Sequence, residues 1–192
     1  MAVQEVRDRR MPGALLGMML FIASELMFFG SLFGAYFTIR AATDPWPPDG
    51  TAEIAVLRTG FFSAFLIASS FTIQHSVTVL RRDDVAGMLR WLAITIGLGL
   101  IFLGGQAWEY SELIREDFVI SSNQFATLFF TMTGFHGLHV AGGLVAIALV
   151  FASARGARVT AARHGPAEAV SYYWHFVDVV WIFLFVTLYV LR

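Results

Sequence analysis

Five long apolar runs, at about residues 14–39, 59–80, 88–110, 124–151 and 170–191, constrain this chain more than any motif it carries. Each is near or above the roughly 20 residues that a helix needs to cross the hydrocarbon core of a bilayer. Backbone groups in lipid must be satisfied within the segment, so runs of this length are helices; barrel strands would alternate in polarity and be about half as long. The breaks agree. Asp44-Pro45-Trp46-Pro47-Pro48-Asp49-Gly50 is a proline-rich loop, Arg81-Arg82-Asp83-Asp84 and Arg115-Glu116-Asp117 are charged turns, and Gly165-Pro166 lies in the fourth connection. At 57% hydrophobic and 14% charged residues, a water-soluble domain would expose large apolar patches. The expected fold is all-α: an integral membrane bundle of five transmembrane helices in one membrane domain over residues 1–192, with no convincing internal repeat.

Arginine placement sets the expected orientation. The N-terminal tail (Arg7, Arg9, Arg10), the second loop (Arg81, Arg82, Arg90) and the fourth loop (Arg155, Arg158, Arg163) hold nine of the thirteen arginines; Arg40, Arg58, Arg115 and Arg192 remain for the other side. By the positive-inside rule the N-terminus is inside and the C-terminus outside. The basic start resembles a signal-peptide n-region, but the run behind it is too long, contains Glu25 and lacks a small-residue cleavage site, so it reads as a retained first helix. Trp46, Trp91, Trp108 and Trp174 fall near span ends, where indole rings favour the membrane interface.

There are no cysteines, which excludes disulfides, thiolate metal sites, Cys-x-x-Cys-His haem attachment and cysteine-held iron–sulfur clusters. A net charge of -1 offers no basic field for nucleic acid.

Polar residues inside the spans carry the functional signal, because an ionisable group at mid-membrane costs about 2.5–3.5 kcal/mol on insertion scales and is kept for a partner or a job. Glu25 sits near the middle of the first run with no basic residue within a helical turn. In hydrocarbon it is a neutral hydrogen-bond donor unless another helix brings a cation to it. His136 and His139, three residues apart, share a helix face; His75 lies beside Gln74 near the inner end of the second run; His175 and Asp178 stand one turn apart in the fifth. These residue types suit a zinc, non-haem iron or copper site, and two histidines on different helices suit a b-type haem. Equally, each is an ordinary interhelical hydrogen-bonding group, worth about 0.6 kcal/mol apiece. Spacing alone leaves both readings open.

Gly97, Gly99, Gly104 and Gly105 in the third run, with Gly134, Gly137, Gly142 and Gly143 in the fourth, predict close helix approach. Phenylalanine pairs such as Phe28-Phe29, Phe61-Phe62 and Phe129-Phe130 are expected to face lipid or a partner subunit.

Three runs carry a family resemblance: Ser24-Glu25-Leu26-Met27-Phe28-Phe29, Thr133-Gly134-Phe135-His136-Gly137-Leu138-His139-Val140, and Tyr173-Trp174-His175-Phe176-Val177-Asp178-Val179-Val180-Trp181. With Gln106 to Tyr110, Phe118-Val119-Ile120-Ser121 and Glu168-Ala169, they resemble, in order and over essentially the whole chain, subunit III of haem–copper respiratory oxidases. The Ser-Glu-Leu-Met-Phe-Phe run is more similar to the aa3-type cytochrome c oxidase branch than to the quinol-oxidase branch.

The resemblance implies a multi-pass subunit of a bacterial plasma membrane that packs beside oxidase subunits I and II in aerobic electron transport. It implies no redox centre in this chain, with haem and copper in the partner subunits, and support of proton uptake and turnover. Glu25 then corresponds to the family's buried carboxylate; His136, His139, His175 and Asp178 correspond to its intrabundle polar residues, forming with Glu25 a polar seam. Arg155 falls near the family's phospholipid-headgroup arginine, at a different spacing after His139. Longer members have two further helices before the Glu25 helix, and without them one wall of the family's lipid cleft is missing. Two other readings stand beside this one: a subunit III-like component of a quinol oxidase or nitric oxide reductase, and a stand-alone intramembrane metal or haem protein using His75, His136, His139 and His175.

Overall fold

A computed structural model describes residues 13–156 and 159–192 of the chain. Arg7, Arg9, Arg10 and Arg158, on which part of the orientation reading rests, lie outside the described residues. The described residues form helices α1 (Gly13–Ala42), α2 (Val56–Leu80), α3 (Val85–Arg115), α4 (Gln124–Arg155) and α5 (Gly165–Phe185), with a short 3-10 turn at Ala161–Arg163. A π-helical turn, Val186–Val190, closes α5. All five helices are long and apolar enough to cross a membrane, and there is no strand among the described residues.

Local chemistry explains where the helices start. The Asp84 carboxylate accepts the Gly87 N–H (2.7 Å) and the Asn123 side-chain oxygen accepts the Ala126 N–H (2.8 Å), each satisfying a donor that the first helical turn leaves free. Pro166 sits in the first turn of α5, where a missing N–H costs nothing. α3, capped at Asp84 and running on to Arg115, and α5, which starts at Gly165, extend beyond the purely apolar runs, and residues that look terminal in the sequence lie well inside a helix.

α2 and α3 form an antiparallel hairpin, α4 packs on α3, α5 packs on α2 and α4, and α1 lies across α4 and α5. α5 is the central helix. In its most apolar window 56% of residues are buried, against 6% in α1, which therefore touches the bundle along a narrow strip only. In lipid such contacts are driven by van der Waals packing and hydrogen bonds, since lipid tails are as apolar as leucine. The ring of Trp174 fills the centre: an ideal Cβ on Gly143 would sit 2.7 Å from it, and one on Gly99 3.1 Å from it. Gly105 is pressed against Phe62 in the same way, at 2.3 Å. Gly97 and Gly104, expected at close contacts, have open space instead, because they lie on the other side of α3. The phenylalanine pairs likewise split, with Phe29 and Phe129 buried while Phe61 is exposed.

Candidate functional site

The polar residues of the spans fall into separate clusters rather than one seam. At the α1–α4 contact, His139 Nε2 lies 2.9 Å from Glu25 Oε2, and His139 Nδ1 lies 2.7 Å from the Phe135 carbonyl oxygen one turn earlier. A carbonyl only accepts, so Nδ1 carries a proton. The Nε2–Oε2 contact then holds one further proton between the two groups, as a neutral acid–imidazole pair or as an ion pair. Tyr173 on α5 donates to the His139 carbonyl at 3.0 Å, and Phe28 and Phe29 pack on the imidazole, so three helices fix the pair.

The α2–α5 interface carries the second cluster. The Ser70 hydroxyl donates to Asp178 Oδ2 and lies 3.0 Å from His175 Nδ1; His175 Nε2 lies 3.3 Å from Gln74 Oε1 and 3.5 Å from Ser171 Oγ. Two tryptophans brace this interface. Trp174 Nε1 donates to Ser69 Oγ and Trp181 Nε1 donates to Ser63 Oγ, both at 2.8 Å, while each serine hydroxyl donates to a carbonyl of α2. Trp174 is fully buried and is not an interface-belt residue, since α5 starts at Gly165 and places it about two and a half turns inside. Trp108, half exposed beneath the Arg58 guanidinium, fits the belt position.

His136 and His75 join neither cluster. His136 is fully buried, stacked on Trp181 at 4.9 Å with Phe102 at its edge, and neither ring nitrogen has a partner among the described residues. Three helical residues span about 300°, so His136 and His139 diverge by roughly 60° and face different neighbours. His75 packs edge-on against Trp91 at 4.5 Å. The four histidines do not converge, and among the described residues no three His, Cys, Asp or Glu side chains come together as a metal-ligand set.

Two further clusters escaped the sequence reading. At the end of the bundle where α3 finishes, Glu109 is buried and accepts hydrogen bonds from Thr59 and Tyr189, both at 2.7 Å, while Arg58 pairs with Glu112. Glu53, Glu109, Glu112, Glu116 and Arg58 surround a cleft of about 250 Å³ there. Glu109 stands at the edge of the apolar run ending near residue 110, but α3 continues to Arg115 and draws it inside. At the opposite end, Arg81 donates to Glu168 through Nε (3.0 Å), and His164 Nε2 lies 3.4 Å from the same carboxylate. Arg155 is exposed at the last residue of α4.

A family model described as cytochrome c oxidase subunit III matches residues 7–192. A probable cytochrome c oxidase subunit 3 of Nocardia farcinica is 45% identical over 177 residues, covering 92% of this chain and 87% of that protein. The cytochrome c oxidase subunit 3 of Thermostichus vulcanus is 42% identical over 177 residues, 92% of this chain and 86% of that protein. The corresponding protein of Synechocystis is 42% identical over 176 residues, 91% of this chain and 74% of its own length.

Proposed function

The chain belongs to the cytochrome c oxidase subunit III family and is a non-catalytic, accessory membrane subunit of that enzyme; from this premise we propose that it stabilises the catalytic core of an aa3-type oxidase and supports its proton uptake. The observation that carries this reading is the match to subunit III over nearly the whole chain, joined to a bundle whose intramembrane carboxylates bond to their own neighbouring helices. Such a bundle has the features of a scaffold. Haem and copper reside in the partner subunits, taken to be I and II, and the exposed apolar face of α1 meets lipid or those partners. Glu25, His75, His136, His139, His175 and Asp178 serve structure and tuning, and Arg155 meets a phospholipid headgroup by reaching along the helix end to the interface. The chain forms one membrane domain of a bacterial plasma membrane, with its N-terminus inside and its C-terminus outside, in accord with the arginine bias.

A tagged chain, extracted from native membranes in mild detergent, should bring down a haem-containing subunit visible in the optical spectrum. Isolation as a lone chain carrying stoichiometric haem or iron would overturn the proposal. The absence of cysteine makes the orientation directly testable, since single-cysteine variants at Asp49 and Arg82 should react with an impermeant thiol reagent from opposite faces.

A further inference from the structure

Asp178 is the polar group that the scaffold role leaves least explained. It lies inside α5 with 5% of its surface exposed, and Ser70 engages Oδ2 whereas Oδ1 is buried without a partner among the described residues. Against it, α5 contributes His175 and α2 contributes only the uncharged Ser70. Glu25 of α1 and His136 and His139 of α4, from the other helices packed on α5, make their contacts elsewhere. A buried carboxyl with no cation against it among the described residues has the surroundings of a proton-binding site.

Hydrogen bonds lead from it in one direction. Ser70 Oγ is 3.0 Å from His175 Nδ1, and His175 Nε2 is 3.3 Å from Gln74 Oε1 and 3.5 Å from Ser171 Oγ. Gln74 and Ser171 line a cleft of about 30 Å³ together with Arg81, Glu168 and Tyr172. That volume admits about two waters. Towards the other membrane face the interface is closed by Leu66, Trp181 and Leu184, all buried, and the Ser63 hydroxyl there is committed to the Thr59 carbonyl.

We propose that Asp178 is a one-sided proton-binding site, filled from water at the α2–α3 turn through the Arg81–Glu168 cleft, His175 and Ser70. Loading moves a single positive charge. A hydronium in the cleft gives a proton to His175 Nε2 and becomes water, Nδ1–H passes to Ser70 Oγ, and the original Ser70 hydroxyl proton passes to Asp178 Oδ2. The carboxylate becomes a carboxylic acid and the imidazole ends neutral, as the other tautomer. Before loading, His175 donates to Ser70 and Ser70 to Asp178. Afterwards Asp178 donates to Ser70, Ser70 to Nδ1, and the new Nε2–H meets Gln74 Oε1, an atom that can only accept. Before loading, Nε2 has no proton to give that oxygen, so the Gln74 amide is turned to present its NH2 group to Nε2; the other heavy atoms keep their positions in both states. The inference does not depend on which complex contains the chain.

The test is infrared difference spectroscopy on the full chain within its membrane complex in oriented vesicles. A carboxylic-acid C=O band should shift in D2O, vanish in Asp178→Asn, and respond to a pH step applied at the α2–α3 face but not at the other. Ser70→Ala and His175→Gln should keep the band and slow its exchange by about 100-fold or more, the lower end of what a positioned acid–base group supplies. Co-purification with the complex reports that each variant is folded. A band absent from the unaltered protein, equal response from both faces, or unchanged exchange in both relay variants would overturn the proposal.

Discussion

Glu25 of α1 and His139 of α4 meet at 2.9 Å through Oε2 and Nε2, while the other imidazole nitrogen is bound to the Phe135 carbonyl. The ring therefore cannot rotate without losing a backbone contact, and its Nε2 is held towards α1. This pair is the main polar tie of a helix that is otherwise almost unburied. The Tyr36 hydroxyl, donating to the Thr187 carbonyl at 3.1 Å, is the second.

A glutamine at position 25 can donate its amide proton to His139 Nε2, so Glu25→Gln should keep stability within about 1 kcal/mol of the parent. Glu25→Ala strands a part-buried imidazole nitrogen and should cost about 1–3 kcal/mol. A double-mutant cycle with His139→Ala should give a coupling of about 0.6 kcal/mol and no more than about 1.7 kcal/mol, the mean and the maximum measured for interhelical hydrogen bonds in a membrane protein. Unfolding titrations in mixed micelles measure all three. Equal losses for the glutamine and alanine variants would show that the carboxylate charge itself is required.

How much of this was legible in the sequence depends on the range of the interaction. The five helices follow from apolar run length, a local property, and Glu25 and Asp178 stood out because charge inside such a run is expensive. Which residues they pair with did not. His139 lies 114 residues from Glu25 and Ser70 lies 108 residues from Asp178, and serine leaves no mark in a hydropathy profile. Trp174 was misplaced and Glu109 overlooked for a different reason: α3 and α5 continue past their apolar runs, so distance from the end of a run is not distance from the end of a helix. The angle between His136 and His139 follows from helix geometry, but the neighbour each one meets needed the rotation of α4 against Trp181, which only packing fixes.

Glycine spacing separates in the structure into tight and open positions, and substitution should report the difference. Gly143→Ala would place a methyl 2.7 Å from the Trp174 ring, which Gly99 confines from the other side. Overpacking of this kind should cost about 1–3 kcal/mol. Gly97→Ala and Gly104→Ala meet no atom within 4 Å and should be neutral or stabilising by up to about 1 kcal/mol, since alanine is the better helix former. Thermal unfolding of the full chain in detergent compares them. A Gly143→Ala protein as stable as Gly97→Ala would mean that Trp174 shifts freely and does not set the spacing of α3, α4 and α5.

The cleft at the end of α3 makes an electrostatic prediction. Arg58 is the only basic residue lining it among the described residues, facing Glu53, Glu109, Glu112 and Glu116, and its guanidinium lies 5.4 Å above the Trp108 ring. Glu109 is already bound by Thr59 and Tyr189, so the charge of Arg58 serves chiefly Glu112, its ion-pair partner, and the more exposed carboxylates at the rim. Arg58→Gln removes the cation, leaves like charges around one cavity, and should lower stability by about 1 kcal/mol at low ionic strength. Screening shortens from roughly 10 Å at 0.1 M salt to 3 Å at 1 M, so added salt should recover part of that loss. Arg58→Lys keeps the charge but not the planar group over the indole, and should fall between the two. Melting temperatures at low and high salt measure the series, and a loss in Arg58→Gln that is independent of salt would assign the role of Arg58 to packing on Trp108 rather than to charge.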